Sequence, residues 1–228
     1  MIDPKVAATM TAQHSKRHFT AVLCALSIAL LAGCATAPPQ ESIGPNDPAA
    51  INGLRQTFIK MNEQKSWRVR MTSVSDGKTI TQSVTFVQPD RIHMVSDEME
   101  QIHIAGAAYM KTGTSGWQRI PFGFGSLIEQ FRKDPALIES SFRGTTIVGK
   151  ETLDGRAMTV YRYYASIKLA GGLVSGGGWN KMWVDGGGLP RRAESEGQGQ
   201  FLGFSGKPSK TTLIYSDYGA AIRIVAPI

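Results

Sequence analysis

"WRVRMTSVSDGKTITQSVTFVQPDRIHMV", residues 67–95, decides the fold class. Trp67, Val69 and Met71 alternate with Arg68, Arg70 and Thr72. A period of two is that of a strand with one face buried and one face wet. Asp76-Gly77 is a strong hairpin-turn signal. Ile80, Val84 and Phe86 continue the pattern on the returning strand, and Gln88-Pro89-Asp90 turns the chain again.

Downstream the pattern repeats as a meander of short antiparallel strands. Residues 91–96 and 101–105 form another pair, followed by 107–111, a turn at 112–116 and a strand at 117–120. PFGFG at 121–125 is a loop, and residues 126–133 and 135–140 read as two short helices divided by Asp134-Pro135. Strands resume at 145–151 and 158–166 around the turn Leu153-Asp154-Gly155. LAGGLVSGGG at 169–178 reads as a glycine-rich loop, followed by strands at 180–185, 189–194, 210–216 and 221–225.

Upstream the period lengthens. Asp47-Pro48 has the form of an N-cap followed by proline in the first helical turn. Ile51, Leu54, Phe58 and Met61 fall on one stripe at helical spacing, so an amphipathic helix is expected over about residues 48–64. The expected fold is therefore α+β: a large curled antiparallel sheet, an unclosed β-barrel, covered by this helix and the short helices. A sheet of ten or so strands tends to curl, and its inner apolar face then needs a cover.

Residues 19–33, FTAVLCALSIALLAG, carry no charge and follow Lys16 and Arg17. The run is shorter than the ~20 apolar residues of a comfortable membrane span. A basic head, a short apolar centre and a small-residue end describe an export signal. Leu31-Ala32-Gly33-Cys34 closes it and resembles the lipobox of bacterial lipoproteins. That resemblance implies diacylglycerol on the Cys34 sulfur, cleavage just before it, and usually acylation of the new amine. Ala35 in place of Asp implies sorting to the outer membrane. A Cys24–Cys34 disulfide would have to span ten residues of apolar helix, and an uncleaved anchor is the remaining alternative. The expected organisation is a signal peptide at 1–33, a lipidated cysteine with a flexible tether at 34–47, and a folded domain at 48–228. Pro38, Pro39, Pro45 and Pro48 suit an extended tether, and Met10 is an alternative start to Met1.

The formal net charge is +7, and residues 1–34 hold Lys5, Lys16, Arg17 and Asp3, which leaves +5 after cleavage. The charge is spread along the chain, as on an ordinary solvated surface, and nucleic acid is not expected as a partner. After cleavage only Cys34 remains, so the fold rests on its core rather than on disulfides.

Three phrases, VTFVQPDRIHMVS, AGAAYMKTGTSGWQRIP and MWVDGGGLPRRAES, together with the outline over residues 50–225, resemble the LolA/LolB-like superfamily, which includes the lipid-anchored LolB, LppX and LprG. The resemblance implies an unclosed barrel lidded by helices, with a greasy cavity between them that takes acyl chains. It carries over no functional residue by position.

Candidate lipid-binding residues are Ile51, Leu54, Phe58 and Met61 on the helix, Trp67, Val69, Met71, Val84 and Phe86 on the first hairpin, and Leu173 and Val174. The last two form the apolar tip of a lid, or of a long hairpin loop without function, between glycine clusters that hold eight of the 25 glycines over residues 171–188. A phosphate-cradling loop would need a helix after it, and a strand follows here. For any one apolar residue on the helix stripe, solid core is the commoner fate. His93 and His103 could face each other across a hairpin and bind copper or zinc, although no third ligand is evident. No nucleophile or metalloenzyme motif is present, and no cofactor is called for. The expectation is a non-enzymatic, membrane-anchored lipoprotein that binds or transfers an acyl chain, lipid or lipoprotein. The alternative is a structural or sensory envelope lipoprotein acting on a protein partner.

Overall fold

A computed structural model describes residues 43–121, 140–169, 174–201 and 204–228. The expected short helices at 126–133 and 135–140 lie almost wholly outside the described residues, as do Cys34 and the signal segment.

One helix, α1 (Pro48–Glu63), precedes the strands. The Asp47 side chain accepts hydrogen bonds from the N–H groups of Ala49 and Ala50, and Pro48 opens the first turn. These groups satisfy amides that a helix start leaves bare. The residues before α1 are also fixed. Asn46 donates to the Phe142 carbonyl and accepts from the Thr145 N–H, while Asp47 N–H donates to the Thr145 carbonyl.

The strands are β1 (Ser66–Ser75), β2 (Lys78–Val87), β3 (Arg91–Ser96), β4 (Met99–Ile104), β5 (Ala107–Thr112), β6 (Gln118–Ile120), β7 (Phe142–Leu153), β8 (Arg156–Leu169), β9 (Val174–Asp185), β10 (Pro190–Phe201), β11 (Phe204–Ser205) and β12 (Ser209–Ser216). They form one antiparallel sheet in the order β6-β5-β4-β3-β2-β1-β12-β10-β9-β8-β7, with β11 added to β10. The sheet is unclosed, with β6 and β7 at its two ends. Every neighbour along this path follows its partner closely in sequence except one pair: β1 against β12 joins the N-terminal and C-terminal meanders.

Local turn chemistry sets the register. Asp76-Gly77, Ala105-Gly106 and Asp154-Gly155 all carry two consecutive positive φ angles. That is the turn geometry whose twist matches a hairpin. Gly is at the second position each time, and Ala105 bears the left-handed conformation without the short polar side chain that usually tolerates it.

Two expectations are corrected. The glycine-rich stretch is mostly strand, because β8 and β9 pair as far as Leu169 and Val174 and leave only residues 170–173 between them. Gly176, Gly177 and Gly178 pair on one side with Ile167, Ser166 and Ala165, and on the other with Gly199, Gln198 and Gly197. The glycines serve close approach here. A Cβ on Gly178 would run into the Glu196 carbonyl, and one on Gly177 would sit 2.5 Å from the Tyr164 hydroxyl. The second correction concerns residues 221–225, which form no strand. This tail is pinned by hydrogen bonds from Arg91 Nη1 to the Ile224 carbonyl and from Ser66 Oγ to the Ala220 carbonyl, with Ile224 buried.

Candidate functional site

Antiparallel partners share a face, so the register assigns each strand residue to the face that carries α1 (the inner face) or to the outer one. The helix packs over the C-terminal half of the sheet. Ala50, Leu54, Ile51 and Phe58 meet Phe142, Tyr161, Tyr163, Met182, Val184, Ala193, Leu213 and Tyr215. Phe142 bridges the layers, 5.8 Å from the Phe58 ring and 4.6 Å from that of Tyr163. Burial raises the Tyr163 hydroxyl well above its usual range, with Tyr215 adding to it, and pushes Tyr215 up to about 12. These phenols stay neutral in a region closed to water. Gly53 allows the close approach, because a Cβ there would lie 2.5 Å from the Tyr161 hydroxyl. Met61 is half-buried and stands outside this cluster.

The N-terminal half of the inner face is built differently. Three rows cross β1–β6 or part of it. The first runs Trp67, Phe86, Ile92, His103, Ala108, Ile120, with Trp67 stacked on Phe86 at 4.8 Å. The second runs Val69, Val84, Met94, Gln101, Met110, Gln118, and the third Met71, Gln82, Ser96. Val84, Ile92, Met94 and Met99 form a buried cluster with Phe86 and Met110 against it, and α1 contributes nothing to it. Beyond the third row the inner face turns small and polar: Ser73, Thr211, Ser195 and Asn180 lie side by side, and Thr211 donates to Ser73.

Four of the nine methionines, Met71, Met94, Met99 and Met110, lie on this half of the inner face. Thioether side chains are flexible and polarizable, and surfaces rich in them adapt to varied apolar partners. Among them sits Gln101, only 4% exposed, whose Oε1 has no hydrogen-bond partner. Leaving a buried carbonyl unpaired costs about 1–3 kcal/mol.

The sequence candidates thus divide between two places. Ile51, Leu54 and Phe58 belong to the packed interface under α1, whereas Trp67, Val69, Met71, Val84 and Phe86 line the methionine half. Leu173 lies outside the described residues; Val174 begins β9, and its side chain is outside them too. The expected histidine pair is not formed. Ile92 opposes His103 and His93 opposes Ile102, so the two imidazoles lie on opposite faces. His93 is instead 2.8 Å from Glu100 on the outer face. Among the described residues no cluster of three or more His, Cys, Asp or Glu is arranged to hold a metal. The reading from sequence missed Met94, Met99, Met110 and Gln101. Their alternation in RIHMVS, MEQIHI and AAYM was visible, but which face was inner was not.

In solved structures the same architecture recurs. LprF from Mycobacterium bovis superposes with a TM-score of 0.54 at 16% identity, covering 81% of this chain and 99% of that one. The lipoprotein LppX of Mycobacterium tuberculosis gives 0.56 at 16% identity, over 79% and 100% of the two chains. The chain has the fold of LppX and LprF. No family model matches the chain, and no curated protein matches it in sequence. The likeness is therefore one of fold, and the fold agrees with the LolA/LolB-like resemblance seen in the sequence. No described helix is long and apolar enough to cross a membrane.

Proposed function

We propose that this chain is a non-enzymatic envelope lipoprotein, held on the outer membrane through lipid on Cys34, that binds an acyl chain or lipid against the inner face of β1–β5. The observation that carries this reading is the methionine-lined apolar surface of Val84, Ile92, Met94, Met99 and Met110, to which α1 contributes no side chain. Burying one saturated chain there gains about 0.8 kcal/mol per methylene, enough for a reversible carrier. The lipobox Leu31-Ala32-Gly33-Cys34 supplies the anchor, and the tether reaches the domain at Asn46 and Asp47, where hydrogen bonds to β7 fix it.

Mass spectrometry of residues 43–228, purified without detergent, tests the reading. A lipid co-purifying in near-stoichiometric amount is expected. An empty domain that takes up neither a fatty acid nor an uncharged acyl lipid would favour the alternative, action through protein contacts. That alternative has one supporting observation of its own: the edge strand β7 exposes Ile147 and Val148.

A further inference from the structure

The inner-face rows that cross β1–β6 contain no Lys, Arg, Asp or Glu. A carboxylate or phosphate drawn into them would meet no lysine or arginine, and burying an ion without a permanent counter-charge is costly. The polar side chains in these rows are His103, Gln82, Gln101, Gln118 and Ser96, and Gln101 stands out among them. It lies at the middle of the second row, between Met94 and Met110, two residues along β4 from both Met99 and His103. Its Oε1 is buried and accepts no hydrogen bond. Buried side-chain oxygens are ordinarily paired, and an orphan in a native fold calls for an explanation. An apolar residue would pack as well among these methionines without leaving a carbonyl bare.

We infer that Gln101 is the polar anchor of this site: its Oε1 accepts a hydrogen bond from a neutral donor, a hydroxyl or amide N–H, carried by the acyl-chain ligand. The inference rests on the acyl-chain reading above and narrows its ligand class. The cargo is an uncharged amphiphile with a donor beside its chain, rather than a bare hydrocarbon, a simple ester or a free fatty-acid anion. Specificity follows from asymmetry. A site whose buried acceptor stays unpaired rejects a ligand without the donor more strongly than a purely apolar site rejects a slightly misshapen one.

The test uses the delipidated full chain and two probes of equal chain length: monoolein, which carries hydroxyl donors, and methyl oleate, which carries none. The wild-type protein should bind monoolein about tenfold more tightly, a ratio in keeping with one buried hydrogen bond. In Gln101→Met the ratio should fall to near one, through weaker monoolein and unchanged or tighter methyl oleate binding, while Tm holds or rises. Equal wild-type affinities, or a ratio that survives Gln101→Met, would overturn the anchor and leave the acyl-chain reading standing. Failure of both probes to bind the wild-type chain would overturn the two together. A Gln101→Met chain that no longer folds would show that the amide supports the fold, which also overturns the anchor.

Discussion

The two halves of the inner face share one sheet and differ in what fills them. Under α1 the residues are large, stiff and interlocked: Phe58, Phe142, Tyr161 and Tyr163 pack around Leu54, and Gly53 admits the Tyr161 hydroxyl. Over β1–β5 one stacked aromatic pair, Trp67 and Phe86, borders methionines, β-branched residues and amide side chains, and α1 takes no part in their buried cluster. Aromatic interlock specifies one arrangement, whereas unbranched thioethers tolerate many. One half holds the helix, and the other is the half to which the proposed function assigns a guest.

The strongest way to break this contrast is at Leu54, which is fully buried beneath the aromatic cluster. Leu54→Ala should cost about 2–5 kcal/mol, because the rigid surroundings cannot collapse into the space; chemical denaturation measures it. If the cost is under 1 kcal/mol, the helix half is as loose as the methionine half.

Gly53→Ala comes next. In a solvent-exposed helix this change would stabilise by about 1 kcal/mol. Here the new methyl meets the Tyr161 ring and hydroxyl at 2.5–3.0 Å. A loss of about 1–3 kcal/mol is expected, partly recovered when Tyr161→Phe is added. A Gly53→Ala protein more stable than wild type would mean that the helix sits further from the sheet.

The smallest expected effect sharpens the comparison through pH. The hairpin joining β9 to β10 is tied to α1 by Lys60, which donates to the Gly187 carbonyl. Asp185 organises that hairpin, accepting from the Gly187 and Leu189 amides and pairing with Arg191 at 2.6 Å. Partial burial pushes its carboxyl up, but the Leu189 amide and Arg191 outweigh this, and its pKa lies below the ordinary 3.8. Its contribution is therefore complete above that ordinary value and is lost as pH falls through the lower, folded one. Wild-type Tm should drop between about pH 4 and pH 2 more steeply than that of Asp185→Asn. Parallel curves would show that the carboxylate contributes no pH-dependent stability to the clasp.

Much of the fold was legible. The alternation from Trp67 to Met71 and the turns at Asp76-Gly77 and Asp154-Gly155 specify the hairpins, and Asp47-Pro48 marks the helix start. The stretch Gly176–Gly178 was not legible as strand, because glycine has no side chain with which to show a period of two. Its strand role comes from Gly197 and Tyr164, which lie beside it only in the fold. The histidine pairing failed because the face a residue occupies depends on the hairpin register, and one residue of slip moves a side chain across the sheet. Half of the candidate site was visible on β1 and β2. Met94, Gln101 and Met110 became part of it only once β1–β12 pairing and the position of α1 fixed which side is inner.

The central claim, that the methionine half holds a guest rather than a filled core, is tested most directly by Met94→Trp with bound lipid read by mass spectrometry. An open site should accept the indole in the lipid's place: bound lipid disappears and Tm stays within a few degrees. A lipid signal undiminished by the indole, or a loss of about 1–3 kcal/mol such as overpacking causes in a wild-type protein that carries no lipid, would contradict the account.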